Sequence, residues 1–146
     1  MFVIFVVYHM RGFLSFTLIF FAALVWAQST DEKLAAQFYE NGEYEKAEGL
    51  YKKLNRQQPN SIYIYESYLS TLLALKEEKS AENLVGKQIR KNTGLLNYEV
   101  DLGYVYLQFN KKEKAAKHFE KLIKENANNR GGIISLAQSF SRRQLN

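Results

Sequence analysis

The sequence contains no cysteine and only one proline, Pro59, among its 146 residues. Without cysteine there is no disulfide framework, no thiolate zinc site, no thiol nucleophile and no lipid-modified N-terminal Cys. The compartment stays open, since exported chains also dispense with cysteine. Histidine is almost as scarce, with only His9 and His118. One His beyond the N-terminal segment offers no metal pair. His118, flanked by Lys114, Lys117 and Lys121, reads as a solvated surface side chain. No glycine-rich phosphate loop and no strand alternation is present, and Gly131-Gly132 reads as a turn. Glu40, Glu43 and Glu45 flank a turn and read as exposed helix-end charges rather than an acid/base pair. The expectation is a protein that is not an enzyme, with no catalytic residue, no cofactor and no metal.

What is present in quantity is mixed charge and apolar residues. The formal net charge is +5, with 47% hydrophobic and 24% charged residues. Lys, Arg and Glu are interspersed at helical spacing, the pattern of a solvated helix surface. A nucleic-acid partner would require the basic residues on one face, so none is expected.

The apolar residues concentrate first in residues 1–27, broken mainly by His9, Arg11, Ser15 and Thr17. Arg11, an apolar run from Phe13 to Trp26, and small residues at Val25 and Ala27 follow the order of an export signal. Cleavage is expected after Ala27, where composition changes at Gln28-Ser29-Thr30-Asp31. The stretch Phe2 to Val7 is apolar where a signal is normally positive, and translation from Met10 is one economical explanation. A retained anchor is the alternative. Gly12 to Ala27 as helix spans about 24 Å at 1.5 Å per residue, against about 30 Å of hydrocarbon. Extending it to Met1 would bury His9 and Arg11.

From there on the chain repeats itself. Ala47, Ala81 and Ala115 recur at one fixed interval, as do Tyr51, Val85 and Phe119, then Phe38, Leu72 and Tyr106, then Leu34, Tyr68 and Leu102. A constant period with one size class at each phase marks a solenoid, and this one, about 34 residues, is the length of one helix–turn–helix repeat. The units run 28–61, 62–95 and 96–129, and 130–146 forms the first helix of a partial fourth. In each unit, helix A carries one apolar stripe and helix B another. Leu34, Ala35 and Phe38 form the first. Asn41-Gly42 stops helix A, and Tyr44, Ala47, Leu50, Tyr51 and Leu54 follow on helix B. Pro59 sets the break before the next unit. The second turn is read at Lys76-Glu77-Glu78-Lys79, the third at Asn110-Lys111-Lys112, and a polar break at Asn126 to Gly132. Gly103 is read as the small residue where helices approach most closely. Ile133, Ile134, Leu136 and Phe140 are not the polar cap that terminal repeats carry, so an apolar face open to continuation or self-association is expected there.

The residues at these phases resemble the tetratricopeptide repeat (TPR) family. The signature positions are Leu34, Phe38, Gly42, Tyr44, Ala47, Tyr51 and Pro59 in the first unit, Ala81 in the second, and Leu102, Gly103, Tyr106, Ala115 and Phe119 in the third. The chain departs from the pattern at Leu69, Gln88, Thr93 and Ala127. The resemblance implies an all-α, right-handed superhelical solenoid of antiparallel hairpins, here preceded by a hydrophobic signal helix. It implies a non-catalytic scaffold that binds a protein or peptide in a concave groove lined by helix A. The chain also looks like the N-terminal part of longer exported repeat proteins of Gram-negative bacteria. Periplasm or cell envelope is therefore the expected location, with inner-membrane anchoring as the alternative. The competing functional reading is a structural arm or regulatory module of a longer, truncated envelope protein.

With the buried stripes assigned, the groove face falls at Glu32, Ala36 and Tyr39, then at Tyr63, Glu66, Ser70 and Leu73, then at Asn97, Val100, Tyr104 and Leu107. The expected partner-binding residues are Tyr39, Tyr63, Glu66, Ser70, Asn97 and Tyr104. This surface is aromatic and weakly acidic, and tyrosine suits interfaces because its ring packs while its hydroxyl bonds. A clamp for a terminal carboxylate would need Lys and Asn where Glu32, Glu66 and Val100 stand.

Overall fold

The computed structural model describes residues 30–145. The leader at 1–27, its cleavage point after Ala27 and the start at Met10 lie outside the described residues. Among the described residues there are seven helices and no strand. They are α1 (residues 30–40), α2 (Tyr44–Gln57), α3 (Ile62–Ala74), α4 (Glu78–Lys91), α5 (Leu96–Gln108), α6 (Lys112–Asn126) and α7 (Arg130–Arg142). None of the described helices is long and apolar enough to cross a membrane. An all-helical chain with one helix pair per period is consistent with a helical solenoid. The second and third turns are tighter than the sequence indicates. Glu78 and Lys79 already belong to α4, Lys112 opens α6, and the polar break narrows to residues 127–129.

The period is written into the backbone as well as the side chains. Gly42, Lys76, Asn110 and Gln144 stand one period apart, and all four have positive φ, between 55° and 76°. Each follows a helix A. At each, the amide one residue further on donates to a carbonyl five residues back: Glu43 to Phe38, Glu77 to Leu72, Lys111 to Tyr106 and Leu145 to Phe140. This is the six-to-one bond of a Schellman motif, which satisfies carbonyls a helix end leaves orphaned. Only the first of the four positions is glycine. At Lys76, Asn110 and Gln144 an L side chain is held in left-handed backbone, which glycine tolerates more readily.

The chain divides into two compact units, with the division after Ser67 in α3. In the first, Ala35, Ala47, Tyr51, Leu54, Ile64 and Tyr65 are buried. Lys53 pairs with Asp31 at 2.7 Å, and Gln58 donates to Glu32 at 2.7 Å, tying the end of α2 to the start of α1. Leu34, expected on the inner stripe, is 37% exposed. Among the described residues no helix precedes α1 to cover that side of it.

In the second unit α5 packs against α4, α6 and α7. Helix α5 is therefore buried on several sides at once, through Tyr98, Val100, Asp101, Gly103, Val105 and Tyr106. Val100, Leu122 and Leu136 form an apolar core between α5, α6 and α7, flanked by Leu96, Phe119, Phe140 and Leu145. Ala81 and Ala115 are fully buried, as Ala47 is in the first unit. A larger residue at such a site forces neighbouring side chains off their rotamers.

Candidate functional site

Four tyrosines gather in the first unit. Tyr39 meets Tyr44 edge-on, with centroids 5.3 Å apart. The Tyr51 ring is buried, and its hydroxyl hydrogen-bonds with Ser67 and Tyr63. Burial pushes the Tyr51 phenol up to about 12; the Ser67 bond acts against this, and Tyr63 and Tyr39 add to it. Tyr63 itself is 54% exposed. It therefore hydrogen-bonds with the buried Tyr51 while more than half of the residue stays exposed. Glu66 and Tyr39 are half-buried. Glu32, counted on the same face, is engaged by Gln58.

In the second unit Ser70, Asn97 and Tyr104 are half-buried. The Arg143 guanidinium lies over the Tyr104 ring, 5.1 Å from its centroid. Cation–π contacts of this kind hold a ring in place from one side. Val100 does not belong to the expected face. It is fully buried in the core shared by α5, α6 and α7. A single inner stripe cannot describe a helix with neighbours on three sides.

The residue that the sequence pattern did not single out is Asp101. Its side chain is completely buried on α5, and one carboxylate oxygen accepts from Arg142 Nη2 and from Arg143 Nε, each at 2.7 Å. A buried carboxylate requires charged or hydrogen-bonding partners to offset its desolvation, and α7 with its flanking residue brings two. A usable signal was present: an acid between Val100 and Leu102, inside an apolar stripe, and an Arg-Arg pair one period and a few residues later. The same bridge aligns Arg143 with Tyr104, so the expected face carries positive charge here.

His118 is not the solvated side chain that its lysine neighbours imply. It is half-buried, with Nε2 2.8 Å from the Glu99 carbonyl oxygen and 3.5 Å from Glu99 Oε2. Its ring meets Tyr106 edge-on at 6.0 Å. Of the lysines flanking it in sequence, Lys121 pairs with Glu125. Lys114 lies over Tyr106 at 3.9 Å and reaches Glu82 at 3.2 Å. Desolvation lowers the Lys114 pKa, but Glu82 and Tyr106 outweigh it and hold the ammonium above its usual range. Lys111 pairs with Glu78, whose carboxyl is lowered chiefly by that bond. Among the described residues no group of three His, Cys, Asp or Glu could hold a metal ion.

The elements so far define a class: an all-helical repeat array whose sequence period and turn geometry coincide. The family model for the tetratricopeptide repeat matches residues 32–61 and again 100–129. These two matches support the tetratricopeptide repeat family, whose members in general mediate protein–protein interaction. No curated protein and no solved structure gives a significant match to the chain.

Proposed function

We propose that this chain is an exported, non-catalytic scaffold that binds a protein or peptide partner through the tyrosine-bearing faces of its A helices. The observation that carries the reading is Tyr63. The residue is more than half exposed while its hydroxyl hydrogen-bonds with that of the buried Tyr51, so an accessible aromatic side chain is tethered before any partner arrives. Preorganised aromatic residues lose little side-chain entropy on binding. Tyr104, held beneath Arg143, is the corresponding residue in the second unit. The two family-model matches agree with a binding role rather than a chemical one.

The leader supports export to the periplasm or envelope of a Gram-negative bacterium. Residues 1–27 taken whole give enough length to span a membrane, at the cost of burying His9 and Arg11, which leaves a second reading: the repeats as a structural arm or regulatory module of a longer envelope protein held in the inner membrane by that segment. N-terminal sequencing of the protein from envelope fractions separates the two: Gln28 as first residue supports cleavage, and retention of Met1 or Met10 supports the anchor.

The binding reading is tested with a photo-crosslinking amino acid at position 63, followed by affinity measurement for the captured partner. Tyr63→Ala with Tyr104→Ala should weaken that affinity at least tenfold with helical content unchanged. Unchanged affinity contradicts the assignment.

A further inference from the structure

The protein repeatedly seats a cation on an aromatic ring, with an acid holding it there. Lys46 lies over Phe38, 5.1 Å from the ring centroid, and pairs with Glu43. Lys114 lies over Tyr106 at 3.9 Å and pairs with Glu82 at 3.2 Å. Arg143 lies over Tyr104 at 5.1 Å while its Nε bonds to Asp101 at 2.7 Å. The negative face of a ring and a carboxylate attract the same charge, so the two reinforce one another where they meet. Asp101 and Tyr104 stand on one A helix, three residues apart and therefore at neighbouring positions of its surface.

Tyr63 and Glu66 form the same pairing on α3, at the same spacing and in reversed order. Tyr63 is 54% exposed, and among the described residues no cation is seated over it. The bond from its hydroxyl to Tyr51 tethers the side chain. Glu66 is half-buried and is the only charged residue of α3. Ile62, 66% exposed, adjoins the pair and offers apolar surface to an aliphatic stem. Packing of the array does not require this pair. One period on, the same two phases hold Asn97 and Val100, and Val100 is enclosed in the core.

We infer, on the reading that the A-helix faces bind the partner, that Tyr63 and Glu66 recognise an arginine side chain of that partner, its guanidinium over the Tyr63 ring and hydrogen-bonded to the Glu66 carboxylate. Arginine fits better than lysine. Its planar, weakly hydrated guanidinium stacks on a ring and donates in its own plane to a carboxylate at the same time. The aliphatic stem lies against Ile62. A half-buried carboxylate is screened less by salt than an exposed one, which strengthens its hold on the cation. The surroundings also favour positive charge: α1 and α3 together carry Asp31, Glu32, Glu40 and Glu66 against Lys33 alone.

The probe is the end-blocked peptide Gly-Gly-Arg-Gly-Gly, titrated into the full chain and followed by NMR at the Tyr63 ring and the α3 amides. Saturable shifts are expected. Affinity should fall about threefold with Lys in place of Arg, and the shifts should be absent with Glu in its place. Glu66→Gln should weaken the arginine peptide about fivefold. Tyr63→Leu, at an exposed position, should abolish the α3 shifts with the circular dichroism spectrum unchanged. Absence of saturable shifts, an equal response to the lysine or glutamate peptide, or indifference to Glu66→Gln or Tyr63→Leu overturns the inference. The wider reading fails separately. No crosslinked partner from position 63 removes the binding face itself, whereas a captured partner that binds Glu66→Gln as tightly as the parent keeps the face and overturns the arginine assignment.

Discussion

Gly103 and Phe119 occupy one another's space. A Cβ atom on Gly103 would lie 2.9 Å from Phe119 Cδ1 and closer still to Cε1 and Cζ. Glycine in a helix interior costs about 1 kcal/mol relative to alanine, and the aromatic ring seated on the bare backbone is what offsets it. Gly103→Ala should therefore destabilise the protein by about 1–3 kcal/mol despite its better helix propensity. Adding Phe119→Val should recover part of the loss, because the second repeat already holds Leu69 with Val85 at the same two phases, both buried. Urea unfolding of the single and double variants measures this. A Gly103→Ala variant more stable than the parent would remove the close approach from the account.

Asp101 should be the most sensitive polar position. Asp101→Ala leaves Arg142 and Arg143 without the carboxylate both bond to. Breaking a buried pair by removing one partner costs about 3–5 kcal/mol. The effect should be local first: α7 amides should lose hydrogen-exchange protection before those of α4. Uniform loss across the second unit, or none, would show that α7 does not depend on the bridge.

Stability should fall in alkali through Tyr51. Its folded-state pKa, about 12, lies above the usual phenol value of 10 because the ring is buried. The unfolded chain therefore releases the proton first, and stability present below pH 10 is lost as pH rises toward 12. Tyr51→Phe should flatten that part of a stability–pH curve. It should also free Tyr63, seen as increased mobility of that ring by NMR.

The left-handed positions give a fourth test. Lys76→Gly and Asn110→Gly should each leave the protein as stable or raise its stability by up to about 1 kcal/mol, since glycine relieves the positive-φ penalty. Gly42→Ala should lower it by a similar amount, although open space surrounds Gly42. Thermal unfolding of the three variants decides the matter. Destabilisation by Lys76→Gly would mean that the side chain contributes more than the backbone loses.

These residues also show what could be read in advance. The alanines at 47, 81 and 115 and the glycine at 103 were legible because each small residue answers a steric demand that returns with the repeat. The turns were legible at Gly42, where glycine announces left-handed backbone, and blurred at Lys76 and Asn110, where a polar run hides it. Helix boundaries there shifted by two residues or fewer. The candidate site was less legible. Tyr63 and Tyr104 remain accessible in part, but Val100 lies in the core because α5 has neighbours on three sides, which a one-face pattern does not encode. Asp101 with Arg142 and Arg143, and His118 with Glu99, depend on contacts across helices. Their spacing along the chain gives no fixed rule for such contacts.

The most direct test of the A-helix binding face is site-specific photo-crosslinking in the cell that makes the protein, comparing position 63 with position 52 on α2. One discrete crosslinked protein is expected from position 63 and none from position 52. Equal crosslinking from both positions, or none from position 63 with the protein folded, would contradict a binding face built on the A-helix tyrosines.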